Sequence, residues 1–325
     1  MEPRIAIIGA GNLSTRRIYP YIGAAGAQLV GTCDFNLEKA RQNAQRFGGA
    51  AYDNFETMVD IEKPDGVMIC VEGKVHAEIA SMLIERGIPV YTEKPPAESA
   101  AAALVLARKA AQHQVLCMTA FKKRHSTAFS RAREWLNGFP AADRLALSVD
   151  YCSGHYSNET PRRDFLLDFC VHAIDVTTYL FGEVATVFAL TQDKHAYSVS
   201  LRFTSGAVGS LCFADGRSFQ VPTEEYELTL KGGNFMTIHN SSQWKITQDG
   251  KPCEWREPNT FVSGGDSGMD TGHLAEIIDF VDAIKENRRT SCSSIAESYK
   301  SMVLYEAIAA SAKSGEIIKI QYEMV

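Results

Sequence analysis

Arg4-Ile5-Ala6-Ile7-Ile8-Gly9-Ala10-Gly11-Asn12-Leu13-Ser14 is the stretch that decides the fold. Its first five residues form a nearly continuous apolar run, the pattern of a strand buried on both faces. A Gly-rich turn follows, leading into a segment, 14–19, able to open a helix. A second apolar run, Leu29-Val30-Gly31-Thr32-Cys33, ends at Asp34. A lone Gly-x-Gly is an ordinary turn in most proteins. With a strand before it and an acid roughly 20 residues after it, the arrangement is that of a dinucleotide-binding βαβ unit. Gly9 permits the tight turn, and Gly11 lets a pyrophosphate approach the backbone with no Cβ in the way. The N–H groups where the helix opens, around Asn12 and Leu13, hold the phosphate charge. Asp34 accepts hydrogen bonds from a ribose diol and repels a 2′-phosphate, which favours NAD. Lys39 and Arg41 lie near enough to soften that preference and leave NADP open. Ser14 stands where the fingerprint has a third Gly or Ala, a mild departure because Ser is small.

At 325 residues the chain is long enough for two domains with a core each. Apolar residues make up 45% and charged residues 22%, as in soluble globular proteins. Lys and Arg number 33 against 39 Asp and Glu, so no global basic field points to nucleic acid. The eight cysteines are scattered, with no Cys-x-x-Cys pair and no Cys/His cluster at zinc spacing. They are expected to be small, reduced core residues of a cytoplasmic protein, and no metal is expected. Met1-Glu2-Pro3 leads directly into the first strand, so no signal peptide is expected, and no apolar run reaches the length of a membrane span.

Beyond Asp34, helices are predicted over 36–47, 55–61, 76–86 and 99–112, alternating with strands over 66–71, 89–92 and 115–120. This alternation argues an α/β fold: a doubly wound parallel sheet with right-handed crossovers. After residue 121 the pattern changes. A helix over 127–137 and a strand over 145–151 precede a polar loop and a helix over 166–181. Strands then follow without helices between them, over 186–191, 196–204, 207–214, 226–231, 235–239 and 243–248. Ser205-Gly206 and Gly232-Gly233 read as hairpin turns. The second domain is thus α+β, with an antiparallel sheet of about six strands, one face buried and the other more open. Two helices, near 272–287 and 295–314, close the chain. The expected domains are 1–121 and 122–325.

Three residues outside the glycine turn carry chemistry. Lys94 follows a strand end, the edge that faces the ligand crevice in such sheets. Asp168 and His172 stand i, i+4 on the predicted helix, within reach of each other, and a carboxylate beside an imidazole fixes its tautomer and raises its basicity. Each also has an ordinary reading: a solvated lysine, a surface hydrogen bond, a core histidine. Two basic groups flank the same crevice, Lys122-Lys123-Arg124-His125 and Arg162-Arg163, with His155-Tyr156 in the loop between. Lys122, His155 and Arg163 are candidates for substrate contact, since lysine offers a point charge and arginine a fork for a carboxylate or vicinal diol.

Gly9-Ala10-Gly11, Cys33-Asp34, Pro64-Asp65-Gly66-Val67, His76, Glu93-Lys94-Pro95 and Asp168-x-x-x-His172-x-x-Asp175, in this order and spacing, resemble the Gfo/Idh/MocA family of glucose–fructose oxidoreductase and inositol dehydrogenase. The resemblance covers essentially the whole chain. It implies an N-terminal Rossmann domain and a C-terminal α+β domain whose large, mostly antiparallel open sheet makes a homodimer or homotetramer. It also implies oxidation or reduction of a hydroxyl or carbonyl carbon of a sugar, sugar acid or cyclitol with NAD(P). By the same resemblance Lys94, Asp168 and His172 are the catalytic group, with Lys94 and His172 touching substrate and Glu72, His76 and Glu93 bordering the cofactor. The turn before His76, Glu72-Gly73-Lys74-Val75, and the approach to Asp168 depart from the family pattern. Two rivals belong to other classes: a non-catalytic NAD(H)-binding sensor, which has no need of a proton relay, and a methyltransferase, which the antiparallel second domain does not suit.

Overall fold

The computed structural model describes residues 2–71, 73–154, 164–218, 223–257 and 268–325. The chain forms two compact units, one of Met1–His125, Ser267–Tyr299 and Val325, the other of Ser126–Asp266 and Lys300–Met324. In the first, β1 (Arg4–Ile8), β2 (Gln28–Cys33), β3 (Ala50–Tyr52), β4 (Gly66–Ile69), β5 (Val90–Thr92) and β6 (Cys117–Thr119) make one parallel sheet in the order β3-β2-β1-β4-β5-β6. The connecting helices are α1 (Asn12–Arg17), α2 (Leu37–Phe47), α3 (Phe55–Glu62), α4 (Gly73–Glu85) and α5 (Ala100–His113). Side chains of Asn36, Asn54 and Ser99 accept main-chain N–H bonds at the starts of α2, α3 and α5, which is where the sequence pattern begins each helix. Strand order reverses between β1 and β4, creating the switch point where ligands bind in such sheets.

Both faces of this sheet are covered, which is why its strands read as unbroken apolar runs. Ala6, Ile8, Val67 and Val90 pack against Met58 of α3, Leu83 of α4 and Leu106 of α5. Ile5, Ile7, Met68 and Tyr91 point the other way, onto Ile18, Tyr19 and a helix from the far end of the chain, His273–Lys285, through Ile277, Phe280 and Val281.

The second unit holds α6 (Thr127–Asn137), β7 (Arg144–Gly154), α7 (Val171–Phe181), β8 (Val184–Gln192), β9 (Ala196–Phe203), β10 (Val208–Arg217), β11 (Thr223–Leu230), β12 (Asn234–His239), β13 (Gln243–Gln248) and β14 (Lys251–Arg256). The helix His273–Lys285 is α8, α9 spans Ile295–Ser314, and β15 is Ile318–Lys319. The sheet has nine strands, ordered β14-β13-β12-β11-β7-β10-β9-β8-β15. It is larger than expected. β14 is a polar edge strand carrying Pro252, and β15 has two residues, so neither shows a period-2 apolar signal. Every neighbouring pair is antiparallel except β7 and β10. Val199, Leu201 and Phe203 of β9 and Tyr226 and Leu228 of β11 face α6, α7 and the later part of α9, while Ser198, Ser200, Arg202, Glu225 and Glu227 are exposed on the open face.

Two further expectations are corrected. The helix expected over 166–181 is not uniform: Leu166–Cys170 is a π-type turn ahead of α7. Nor are all cysteines core residues, since Cys212, Cys253 and Cys292 are exposed, on the open face, the edge strand and a loop respectively. Among the described residues no helix is long and apolar enough to cross a membrane.

Inside the first unit lies a buried acid. Glu276 of α8 is 1% exposed and accepts a hydrogen bond from the Tyr91 hydroxyl at 2.8 Å. Its second carboxyl oxygen is buried without a hydrogen-bond partner. Burial pushes its pKa well above the carboxylate range, and Glu93 pushes the same way, against smaller lowering effects of the Tyr91 bond and Lys122. A carboxyl raised in the folded state stabilises fully below its unfolded pKa of about 4.3 and loses that contribution as pH rises. Glu276→Gln keeps the acceptor for Tyr91 and removes the ionisation. Denaturant titrations are therefore expected to show the variant gaining on the wild type as pH rises above the unfolded carboxyl pKa of about 4.3. A stability difference independent of pH would mean that Glu276 is not held protonated.

Candidate functional site

The glycine turn is a tightly tied structure. Gly9 has φ +107°, and a Cβ there would lie 2.3 Å from the Cys70 carbonyl oxygen at the end of the neighbouring strand. Its N–H donates to Cys33 O at 2.7 Å. At Gly11 a Cβ would meet nothing within 4 Å, so the turn is open on that side. Asp34 is 8% exposed and bonded on both oxygens: Oδ2 accepts from Ala10 N–H at 2.8 Å and Oδ1 from Asn36 N–H at 2.9 Å. The carboxylate therefore straps the turn to the end of β2, and each oxygen retains a further lone pair. The Ser14 hydroxyl donates to Gly9 O at 2.9 Å and the Tyr19 hydroxyl to the same oxygen at 3.3 Å. Ser14 is thus a working part of the turn, a role that sequence reading did not assign, and Tyr19 was missed altogether. Asn12 and Leu13 are exposed at the start of α1, which no side chain caps. Open space at Gly11, uncapped N–H groups and an acid at the end of β2 fit the pyrophosphate and adenosine ribose of NAD. Phe35, directly after Asp34, is 91% exposed, a second residue that the sequence pattern did not single out.

At the other side of the switch point, β5 runs into Glu93, Lys94 and Pro95, the last joined by a cis peptide. β6 runs into a 3₁₀ turn, Lys122–His125. Thr92 and Thr119 are parallel partners and Ala120 N–H donates to Thr92 O at 2.8 Å, so Lys94 and Lys122 follow the carboxyl ends of adjacent strands. Both are half-buried, and both hold down the pKa of Glu93, which burial raises. Lys123 and Arg124, by contrast, are buried, with the Arg124 guanidinium donating to the Cys292 carbonyl. His76 is completely buried, its ring against the backbone of Val71, Pro95 and Pro96 in a geometry that makes no hydrogen bond to them. Burial lowers its pKa, so the ring is a neutral support behind the Lys94 loop.

In the second unit Asp168 lies in the π-type turn and His172 in the first turn of α7, both half-buried. Asp164 sets this entry: its Oδ1 accepts from Leu166 N–H at 2.9 Å and its carbonyl from Asp168 N–H at 2.7 Å. Phe165 stacks on Phe169, which stacks on Tyr151 of β7 with centroids 4.4 Å apart. π-type turns inside helices recur at functional sites. Asp175, the last acid of the motif, is fully buried and accepts from the Ser301 hydroxyl at 2.7 Å, a structural role. Sequence reasoning missed an imidazole–carboxylate pair, His195 Nδ1 and Asp215 Oδ2 at 2.7 Å. It is brought together by the β9–β10 hairpin, whose register no local pattern announces. Glu72, His155 and Arg163 lie outside the described residues.

Two sequence profiles match the chain, one described as an oxidoreductase family with an NAD-binding Rossmann fold over residues 3–121, the other as the C-terminal alpha/beta domain of that oxidoreductase family over 157–320. D-glucoside 3-dehydrogenase of Escherichia coli (strain K12) is 28% identical over 67% of this chain and 64% of its own. UDP-N-acetylglucosamine 3-dehydrogenase of Acidithiobacillus ferrooxidans is 24% identical over 90% of this chain and 92% of its own. The alignments to the first curated relatives span roughly half to two-thirds of those proteins' lengths, from 52% to 64%. An oxidoreductase from Agrobacterium radiobacter, solved with NAD+, L-tartaric acid and magnesium, has the same fold, with a TM-score of 0.85 at 18% identity over 98% of each chain.

The two glycines are expected to separate on substitution. Gly9→Ala meets backbone atoms in a strained conformation, so thermal or denaturant unfolding is expected to show a loss of about 2 kcal/mol or more. Gly11→Val has room and an allowed backbone, so stability is expected to stay within about 0.5 kcal/mol of wild type. Its NADH affinity, measured by fluorescence titration, is expected to fall at least ~10-fold. Unchanged NADH binding by Gly11→Val would place the pyrophosphate elsewhere.

Proposed function

Because this chain belongs to the Gfo/Idh/MocA oxidoreductase family, we propose that it is an NAD-dependent dehydrogenase or reductase acting on one hydroxyl or carbonyl carbon of a sugar, sugar acid or cyclitol. The observation that carries this reading is the placement of Lys94 and Lys122 just past the carboxyl ends of adjacent strands, in a unit whose glycine turn fits NAD. NAD, when bound, supplies the hydride acceptor or donor. The chain's own residues handle binding and the proton. Lys94 polarises the reacting oxygen and positions the substrate. His172 takes or gives the hydroxyl proton, and Asp168 orients its imidazole. Lys122, with its compact charge, holds a hydroxyl or carboxylate of the substrate, and His155 and Arg163 add further contacts to it.

Asp34 selects NAD over NADP in this proposal, supported by a carboxylate already fixed on two main-chain N–H groups and therefore unable to swing away from a 2′-phosphate. Phe35 offers its exposed ring to the adenine. The protein works in the cytoplasm as a homodimer or homotetramer, for which the open face of the nine-stranded sheet supplies a broad surface.

Lys94→Ala and His172→Ala are each expected to lower turnover by ~10²-fold or more, with NADH affinity retained. The assay is a panel of sugars, cyclitols and sugar acids followed by absorbance of reduced nicotinamide. Near-normal turnover in His172→Ala would end its assignment as proton carrier, and NADH binding without turnover on any member of the panel would favour a sensor. Competing titrations are expected to give tighter binding of NADH than NADPH. The reverse order would show that Lys39 and Arg41 outweigh Asp34.

A further inference from the structure

Three chemically different metal-binding side chains meet in the first unit. His125 ends the 3₁₀ turn after β6, Asp279 lies on α8, and Cys292 lies in the segment before α9. One imidazole nitrogen, one carboxylate oxygen and the thiol sulfur all lie within 4.8 Å of one another. Cys292 Sγ is 3.6 Å from His125 Nε2 and 3.9 Å from Nδ1. With Zn–S near 2.3 Å and Zn–N near 2.0–2.1 Å, the sulfur-to-nitrogen edge of a tetrahedral zinc site is about 3.6 Å long. The sulfur and nitrogen are therefore already at ligating separation.

The supports of these side chains are in place. Asp279 accepts from Arg288 Nη2 on Oδ1 at 3.0 Å and from the Ser291 hydroxyl on Oδ2 at 2.5 Å, bonds that aim the carboxylate and leave each oxygen a lone pair. Ser291 Oγ also accepts from Ser293 N–H at 3.0 Å, and the buried Arg124 donates to the Cys292 carbonyl, so the main chain on both sides of the thiol is held. Outer hydrogen bonds of this kind orient the ligands of protein metal sites. Cys292 is exposed, and a small rotation of its side chain closes the triangle on the carboxylate.

We propose that His125, Asp279 and Cys292 form a binding site for zinc or a similar borderline divalent transition metal, with solvent in the fourth position. The ligand set decides the class of ion. A thiolate and an imidazole disfavour magnesium and calcium, which take oxygen ligands, and suit zinc and cobalt. Thiolate and carboxylate together carry two negative charges toward a dication, the carboxylate sharing its charge with Arg288 at 3.0 Å. Bound there, the ion ties the turn after β6 to α8 and to the segment before α9.

The test uses the full chain, treated with chelator, dialysed and titrated with cobalt(II) chloride in the absence of NADH and substrate. One equivalent is expected to produce a thiolate-to-cobalt charge-transfer band together with the intense visible bands of tetrahedral cobalt, and zinc chloride is expected to displace both. Cys292→Ser should lose the charge-transfer band, His125→Gln should weaken binding at least ~10-fold, and zinc should raise the melting temperature of the wild type but not of Cys292→Ser. Circular dichroism establishes that each variant is folded. Absence of a charge-transfer band in the folded wild type would overturn the proposal. So would a band that persists in Cys292→Ser, which would assign the metal to another thiol such as the exposed Cys212 or Cys253.

Discussion

The carboxylate of Asp34 holds the nucleotide end of the first unit together. It bonds the N–H of Ala10 inside the glycine turn and the N–H of Asn36 ahead of α2, so one side chain joins the ends of β1 and β2. The turn it holds is pressed against the next strand closely enough that Gly9 admits no Cβ. A hydrogen bond from a main-chain N–H to a carboxylate is stronger than one between neutral groups. Its worth here is positional. With the turn fixed, the side of Gly11 that must meet a pyrophosphate is kept open without a ligand to shape it, and the acid itself is denied the freedom to accommodate an extra phosphate.

A second constraint comes from covering a parallel sheet on both faces. The connections between its own strands cover one face and part of the other. The remaining area is filled by α8, whose Ile277, Phe280 and Val281 join Tyr91 and Met68 in the core. Use of a late segment for this purpose brings Glu276 under β5 and Asp279 beside His125. Glu276 is costly to ionise there because one of its oxygens has no partner. Glu93, at the strand end beside Lys94, pushes the pKa of this buried acid further up.

The second unit solves a different problem. A nine-stranded sheet with one face open must keep that face polar, and the alternation of β9 and β11 does so. The parallel pairing of β7 with β10 places the ends of two central strands at the same edge, with Tyr151 stacked on Phe169 of the π-type turn. The wide turn is held by the Asp164 carboxylate and by aromatic stacking, so the unusual geometry around Asp168 rests on specific contacts.

Much of this was legible in the amino-acid sequence, and what was legible has a common cause. A buried strand, a glycine turn, a capped helix and the Glu93-Lys94-Pro95 run are determined by neighbours within a few residues, so they leave periodic or compositional marks. The Rossmann sheet, the antiparallel second domain and the candidate residues Gly9, Gly11, Asp34, Lys94, Asp168 and His172 could be named on that basis. Short edge strands such as β3 and β15 bury too little to leave a mark. The cover provided by α8, the pair His195–Asp215, the burial of Glu276 and the cluster of His125, Asp279 and Cys292 depend on residues distant in the chain meeting through sheet register and layer packing. The spacing of the eight cysteines showed no local zinc motif. Only the folded chain could place one of those cysteines beside a histidine from another segment, because a tertiary contact imposes no period on the sequence that makes it.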